Sequence, residues 1–343
     1  QNHLAVKAGA FVPVERELVF DIDLTDYDDV RTCCSGAKIC NRCWSYMTMA
    51  VEVMDAGLRQ DFGFKHILWV YSGRRGVHCW VADDAARALT NEGRGAIADY
   101  FSVVSGNDNQ AKKVNIPLPI HPSLRRAYDT LEPLFLEHII TEEGQGLLAE
   151  PTGWSKILAT VPEDIRETLD SRWTVSALMP AIEKWTELVE EMERKGAKDR
   201  KQQSAKKMKS GDRTTPEQWR YEVVFEHCYP RLDVNVSKGR NHLLKSPFAV
   251  HPKTGRVCVP IDPSKVRAFN PFLVPTLGQL ARQIDEYDRN HGEEQKSVST
   301  SDKTDMKKYV ARFEDTFLKG LYKNIRAKKR DTAERVAALT TDF

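Results

Sequence analysis

The chain has 343 residues, of which 41% are hydrophobic and 29% charged, the composition of an ordinary globular protein. Its length exceeds the roughly 250–300 residues at which single cores stop growing, so a main domain with an insertion or appendage is expected. A count of 51 Lys and Arg against 49 Asp and Glu leaves a net charge of only +2, which excludes a uniformly basic polyanion binder, and no apolar run approaches the ~18 residues of a membrane helix.

The first predicted strand, Glu17-Leu18-Val19-Phe20-Asp21-Ile22-Asp23-Leu24, carries two carboxylates one residue apart. Side chains alternate along a strand, so Phe20, Ile22 and Leu24 point one way and Asp21 and Asp23 the other. Adjacent like charges are unfavourable unless a cation lies between them, and an all-oxygen ligand set suits Mg²⁺ or Mn²⁺. An exposed acidic loop is the competing reading, and the pair alone does not separate the two. An EF-hand is excluded, because its sixth and twelfth positions, Gly and Glu in that loop, are Asp26 and Thr32 here.

Four of the seven cysteines follow within eleven residues: Cys33, Cys34, Cys40 and Cys43, the last two spaced C-x-x-C. This density matches a closed tetrahedral zinc site, which supports structure and has no open position for chemistry. The adjacent Cys33-Cys34 pair leaves open whether both bind, since neighbouring side chains normally diverge. Disulfides are the weaker alternative, because no signal peptide is evident and Cys79, Cys228 and Cys258 are scattered.

From Trp44 the period changes to that of a helix, with Trp44, Met47, Val51, Met54 and Leu58 on one stripe. The methionines there read as core filling. His66 to Tyr71 is a buried strand; Ser72-Gly73-Arg74-Arg75-Gly76 is a turn; Val77 to Val81 is a second strand. From about Asn107 to Tyr229 the pattern is helical. Leu124, Tyr128, Leu131 and Phe135 share one face, although Pro133 is expected to kink or break that helix. Leu178, Ile182, Trp185, Val189 and Met192 form a second stripe. Lys195 to Arg213 is rich in Lys and Arg; a solvated helix end and loop is favoured over a nucleic-acid arm or localisation signal, because short basic runs are common false positives.

Strand character returns at Arg231 to Val236, where Leu232, Val234 and Val236 alternate against Asp233 and Asn235 and a third carboxylate stands on the polar face. Gly255 with Arg256 to Ile261 reads as a hairpin. Arg282 to Asp305 is polar and without periodicity, a mobile loop. Tyr309, Phe313, Phe317 and Leu321 recur every fourth residue on a closing helix. Residues 1–105 and 229–343 are accordingly read as two parts of one catalytic domain, with a zinc module at 33–43 and a helical insertion subdomain at 106–228.

Two Asp on one strand and a third on another strand form the set that a two-metal phosphoryl-transfer site needs. A polyphosphate must also be held. The Ser72–Gly76 turn offers a hydroxyl, backbone N–H groups and two guanidinium forks, with His78, Lys245 and His251 as further donors. Singly, each has a dull explanation, a satisfied core histidine or a surface ion pair.

Three long segments, DIDLTDYDDVRTCC, DFGFKHILWVYSGRRGVHCWV and YPRLDVNVSKGRNHLLKSPFAVHPKTGRVCVPID, resemble the catalytic small subunit of eukaryotic DNA primase, in the archaeo-eukaryotic primase superfamily. The resemblance covers most of the chain and is weakest in the helical middle and the polar loop near Lys296. It implies an α/β fold: a primase-type catalytic domain with a mixed sheet, an inserted helical subdomain and a small zinc module. It also implies Asp21, Asp23 and Asp233 as ligands of catalytic Mg²⁺ or Mn²⁺. Ser72, Arg74, Arg75, His78, Lys245 and His251 would bind the triphosphate, and Cys33, Cys34, Cys40 and Cys43 would all bind structural Zn²⁺. The implied activity is template-directed synthesis of short RNA primers from NTPs on single-stranded DNA, in the nucleus. The implied partners are the primase large subunit and the DNA polymerase alpha complex, with no membrane. The chain opens on Gln1 and not Met, and by the resemblance an amino-terminal segment is expected ahead of it.

Two other readings are carried. A non-catalytic, zinc-stapled nucleic-acid-binding scaffold subunit would not need three carboxylates that repel phosphate, and its nucleotide binding would be independent of Mg²⁺ or Mn²⁺. A two-metal nuclease would not need so many triphosphate-sized cations, and would cut strands without NTPs.

Overall fold

Four strands form one sheet in the order β1 (Leu18–Asp23), β3 (Gly76–Val81), β2 (Ile67–Tyr71) and β4 (Pro260–Ile261). The computed structural model describes residues 13–104, 113–205, 215–291 and 298–340. β2 runs antiparallel to β3, with Leu68 opposite Trp80 and Val70 opposite His78, and antiparallel to β4 through Trp69 and Ile261. β2 is buried along its whole length, as its continuous apolar sequence requires of an inner strand. On β1 the alternation holds where it matters: Phe20 and Ile22 are fully buried, and Asp21 and Asp23 are half-buried. The α/β class expected from the sequence is the one found.

The chain divides into two units, residues 1–21, 58–98 and 233–343 in one and residues 22–57 and 99–232 in the other. β1 and α1 (Asn41–Gln60) each run from one into the other.

In the first unit, α2 (Asp84–Arg87) and α3 (Asn91–Tyr100) brace the start of β1. The wholly buried Arg94 guanidinium donates to the carbonyls of Arg16, Glu17, Ala86 and Arg87, so one side chain satisfies the backbone that leads into β1. Burial holds its pKa down at about 10, so the group stays charged at neutral pH. One face of the sheet carries Leu68, Val70 and Ala82, packed with Cys258 and Phe317.

The second unit is helical: α4 (Pro122–Phe135), α5 (Pro151–Leu158), α6 (Glu163–Val175), α7 (Ala181–Ala205) and α8 (Pro216–Cys228). Its core is aromatic, with Trp185 stacked on Trp219 at 5.7 Å and edge-on to Phe135 at 5.1 Å. Pro133 does not end its helix. α4 continues through it to Phe135, then widens into a π-turn over Leu136–Ile140. Proline costs the helix one N–H bond and crowds the carbonyl four residues before it, which this helix absorbs without breaking. The apolar stripe of α7 also lies elsewhere than expected. Leu178 is fully exposed ahead of the helix and Ile182 is exposed, while Ala181, Trp185, Leu188 and Met192 are buried. Pro180 ends one segment before α7 starts at Ala181, so the three- and four-residue count has to begin there.

The first unit resumes with α9 (Val234–Lys238), a correction to the strand expected at Arg231 to Val236. Alternation over five residues is shared by strands and by an Asx-capped turn, and here Asp233 is the N-cap, its Oδ1 accepting from Asn235 N at 3.1 Å. The hairpin at Gly255 is present: Phe248 N donates to Cys258 O and His251 N to Arg256 O, with Gly255 at φ +66°. α10 (Leu277–His291) occupies the first part of Arg282 to Asp305, which the sequence read as loop. Its polar surface hides the helix period, since only Leu280 is buried, and Gln283 and Asp288 tie it to Asp305 and Lys303. Residues 292–297 of that stretch and 206–213 of the basic run lie outside the described residues. α11 (Lys307–Arg312), a π-turn at Phe313–Leu318 and α12 (Lys319–Thr340) close the chain, with Phe313 and Phe317 stacked at 5.6 Å over the sheet. No helix among the described residues is long and apolar enough to cross a membrane.

Candidate functional site

Asp21, Asp233 and His78 meet in the first unit, which also carries a second group of sequence-predicted residues. Asp233 N donates to the backbone carbonyl of Asp21 at 3.1 Å, so the N-cap of α9 docks on β1 at the first of its two carboxylates. On the neighbouring strand the buried His78 places Nε2 3.5 Å from Asp21 Oδ1. Asp23 lies two residues further along β1, and its Oδ1 accepts from the backbone N and Oγ1 of Thr25 at 2.9 and 2.8 Å. Carboxylate oxygens are the hard donors that suit Mg²⁺ or Mn²⁺.

The second group is built on the β2–β3 turn. Ser72 Oγ accepts from Gly76 N at 3.0 Å and Ser72 N donates to Gly76 O at 2.9 Å, closing the turn, while Tyr71 Oη donates to Arg74 O at 2.9 Å. Gly73 adopts φ +85°, in the left-handed region open to glycine. Its carbonyl accepts from Thr254 Oγ1 at 2.6 Å, which seats the arginine turn on the 248–258 hairpin. There His251 is buried, its Nδ1 accepting from Lys253 N at 3.2 Å, so the neutral ring carries its proton on Nε2. Burial first, then the charges of Lys245, Arg74, Lys253 and Arg75, hold the His251 pKa below the usual histidine value. The charges of the arginine turn and of the Lys245–Lys253 segment thus both bear on one imidazole. The two groups are one strand segment apart, because His78 follows Gly76 by two residues on β3.

In the second unit the four cysteine sulfurs lie within 4.8 Å of one another. Cys40 Sγ and Cys43 Sγ are 3.9 Å apart, against the roughly 3.8 Å that a tetrahedron with Zn–S of about 2.3 Å gives. The adjacent Cys33 and Cys34 both join the group, so the divergence expected of neighbours is overcome by the turn. A hydrogen bond from Cys43, supported by Gln145 Nε2 at 3.4 Å, holds the Cys33 thiol well below its usual pKa, and Cys43 is pushed up in return. A thiolate is thus favoured within the cluster, as a metal ligand must be. Cys43 opens α1, and the loop ahead of it is organised by the buried Arg31, which donates to Asp28 Oδ1 at 2.6 Å, Gly36 O at 2.9 Å and Lys38 O at 3.1 Å.

Arg31, Gln145, Thr254 and Lys253 were not singled out from the sequence. Each acts through a partner that folding brings close, Gln145 from 112 residues away, and only the lone buried-type arginine beside the cysteines offers any signal.

The chain belongs to the DNA primase small subunit family, whose model matches residues 20–263. It is similar to the DNA primase small subunit of Schizosaccharomyces pombe, with 40% identity over 89% of this chain and 66% of that protein. The Drosophila melanogaster protein of the same name is 39% identical over 94% of this chain and 73% of its own length. That of Saccharomyces cerevisiae is 37% identical, over 79% and 63%. The chain thus spans about two thirds of the length of these relatives.

Proposed function

We propose that this member of the family joins ribonucleotides into short primers on single-stranded DNA, with Asp21, Asp23 and Asp233 holding Mg²⁺ or Mn²⁺. Bound there, two such ions would stabilise both the attacking 3′-oxygen and the departing pyrophosphate. The reading rests on one observation above all: Asp21 meets both Asp233 and His78, two residues along β3 from a turn carrying two arginines.

The chain's own groups supply positioning. Arg74 and Arg75 offer planar forks that match phosphate oxygens in pairs, and Lys245 and Lys253 add point charges. His251, neutral when nucleotide is absent, presents Nε2–H as a donor. Ser72 Oγ accepts from Gly76 N and keeps its own O–H for a phosphate oxygen. Phosphoryl transfer depends mostly on such placement and on electrostatic stabilisation. Without such ions, three carboxylates would repel the triphosphate.

The cysteine cluster holds Zn²⁺ through four thiolates, a closed shell that stabilises the loop ahead of α1. As a small subunit, the chain acts with the primase large subunit and the DNA polymerase alpha complex in the nucleus. Extension of NTPs on single-stranded DNA by the chain with its large subunit tests this reading. Asp21→Ala with Asp23→Ala is expected to abolish extension; wild-type extension by that double variant would overturn the assignment.

A further inference from the structure

The closing helix α12 is held to the first unit along one side. Leu321 packs on the cluster that Leu68 and Val70 form with Phe317. Asn324 Nδ2 donates to His66 Nε2 at 2.5 Å, and Lys328 pairs with Asp84. All of these residues belong to that unit. Side chains three and four residues apart share a helix face, so this packing turns Lys319, Tyr322, Lys323, Arg326 and Arg330 outward together. They line an open space of about 610 Å³, the four cations are exposed, and the Tyr322 ring is 52% exposed.

A helix face made only to be solvated places opposite charges at these spacings. Here like charges fall at them: Lys319 and Lys323 four apart, Lys323 and Arg326 three apart, Arg326 and Arg330 four apart. Carboxylates compensate only the two ends, Asp315 at Lys319 and Glu334 at Arg330. No carboxylate among the described residues pairs with Lys323 or Arg326. Such a row is unfavourable until a polyanion lies along it. At a rise of about 1.5 Å per residue the row spans roughly 16 Å, over which one strand of a nucleic acid presents about five phosphates. The whole chain carries only +2, so this face concentrates a charge that the total does not show. Tyr322 adds an exposed ring beside the row, on which an unstacked base can lie. Single strands offer that contact and base-paired duplexes withhold it.

We infer that the outer face of α12 binds single-stranded nucleic acid, with Lys319, Lys323, Arg326 and Arg330 on backbone phosphates and Tyr322 under a base. It is a template-holding surface made of other residues than those assigned to metal and triphosphate. The choice of DNA as the strand rests on the proposed function; the charge row and the tyrosine do not depend on it.

The test is binding of a fluorescent oligothymidylate to the full chain, followed by anisotropy over a range of salt concentrations without NTP or divalent metal. Unlabelled oligothymidylate and polyglutamate serve as competitors. Lys323→Ala with Arg326→Ala is expected to weaken binding by roughly 20-fold at about 0.1 M salt. The slope of log K against log salt should fall by about 1.4 in the same variant, the share of two phosphates on a single strand. Tyr322→Ala should weaken binding about fivefold or more with the slope unchanged. Circular dichroism and melting should match wild type in both variants, since the substituted side chains lie off the packed face. Unchanged affinity and slope in the double variant overturn the inference, whether or not the chain extends primers. Polyglutamate competing as well as oligothymidylate, with Tyr322→Ala silent, assigns the face to an acidic protein segment and also overturns it. Weakened binding in the double variant of a chain that extends no primer supports the surface and counts against the proposed function alone.

Discussion

A methyl group added to Gly73 would lie 2.6 Å from Cβ of His251, closer than real side chains approach. The arginine turn and the histidine hairpin are thus in contact at a point where only hydrogen fits. Gly73 also has φ +85°, which any other residue adopts under strain.

Gly73→Ala is therefore expected to separate the two halves of the phosphate site. Strain and overlap together should lower stability by about 1–3 kcal/mol. The larger effect falls on nucleotide binding: KM should rise by roughly tenfold or more, because small displacements of positioning groups are strongly felt. Thermal melting and NTP titration of primer extension check the two separately, and an unchanged KM would remove the contact from the binding site. Arg75→Ala should raise KM in the same direction while leaving the fold intact.

Asp233→Asn separates charge from structure. Asparagine caps a helix about as well as aspartate, and the Asp233 N to Asp21 O bond is made by backbone alone, so the melting temperature should barely move. Extension should fall by about 10²–10³-fold or more, the scale for removal of one group that stabilises transition-state charge. A variant equally stable and equally active would show that Asp233 acts only as a cap.

Much of this site was legible in the chain. Period-two alternation at Phe20 to Asp23 fixed both the strand and the face of its carboxylates, and the C-x-x-C pair with its neighbours is gathered within 4.8 Å as their density required. Asp233 lies at a helix cap and not on the strand expected there, because Leu232, Val234 and Val236 alternate whether or not the chain turns into a helix after them. α10 escaped notice because a helix that buries only Leu280 shows almost no apolar period. Gln145 gives no sign in the sequence for a different reason: its partners Thr32 and Cys33 lie more than 110 residues away along the chain.

His251 gives a pH signature. The unfolded chain takes up this proton near the ordinary histidine pKa of about 6.5. The folded chain does so only at lower pH, because burial and the surrounding cations oppose the charge. The stability from keeping the ring neutral is thus complete above about pH 6.5 and is lost as pH falls through the folded-state value. A bound triphosphate cancels the repulsion from Lys245, Arg74, Lys253 and Arg75, so the His251 pKa should rise on binding, and nucleotide should bind with proton uptake as pH is lowered toward 6. Histidine NMR titrations with and without nucleotide measure the shift, and His251→Gln should abolish the proton uptake. An identical pKa in both states would place His251 away from the phosphates.

The cysteine cluster makes the last prediction. Four thiols with one already inclined to ionise should bind one zinc per chain, releasing protons as the remaining thiols deprotonate. Cys40→Ser or Cys43→Ser should lose the metal, as elemental analysis would show. Arg31→Ala should weaken it without removing a ligand, because the guanidinium holds the carbonyls of Gly36 and Lys38 and the Asp28 carboxylate that shape the loop. A strong chelator should lower the melting temperature of the wild-type chain, and the Arg31→Ala variant should lose zinc at a lower chelator concentration. Since the shell is closed, added zinc should restore stability without changing the KM for nucleotide. Zinc held equally tightly with and without the arginine would mean that the four sulfurs are preorganised by α1 and Gln145 alone.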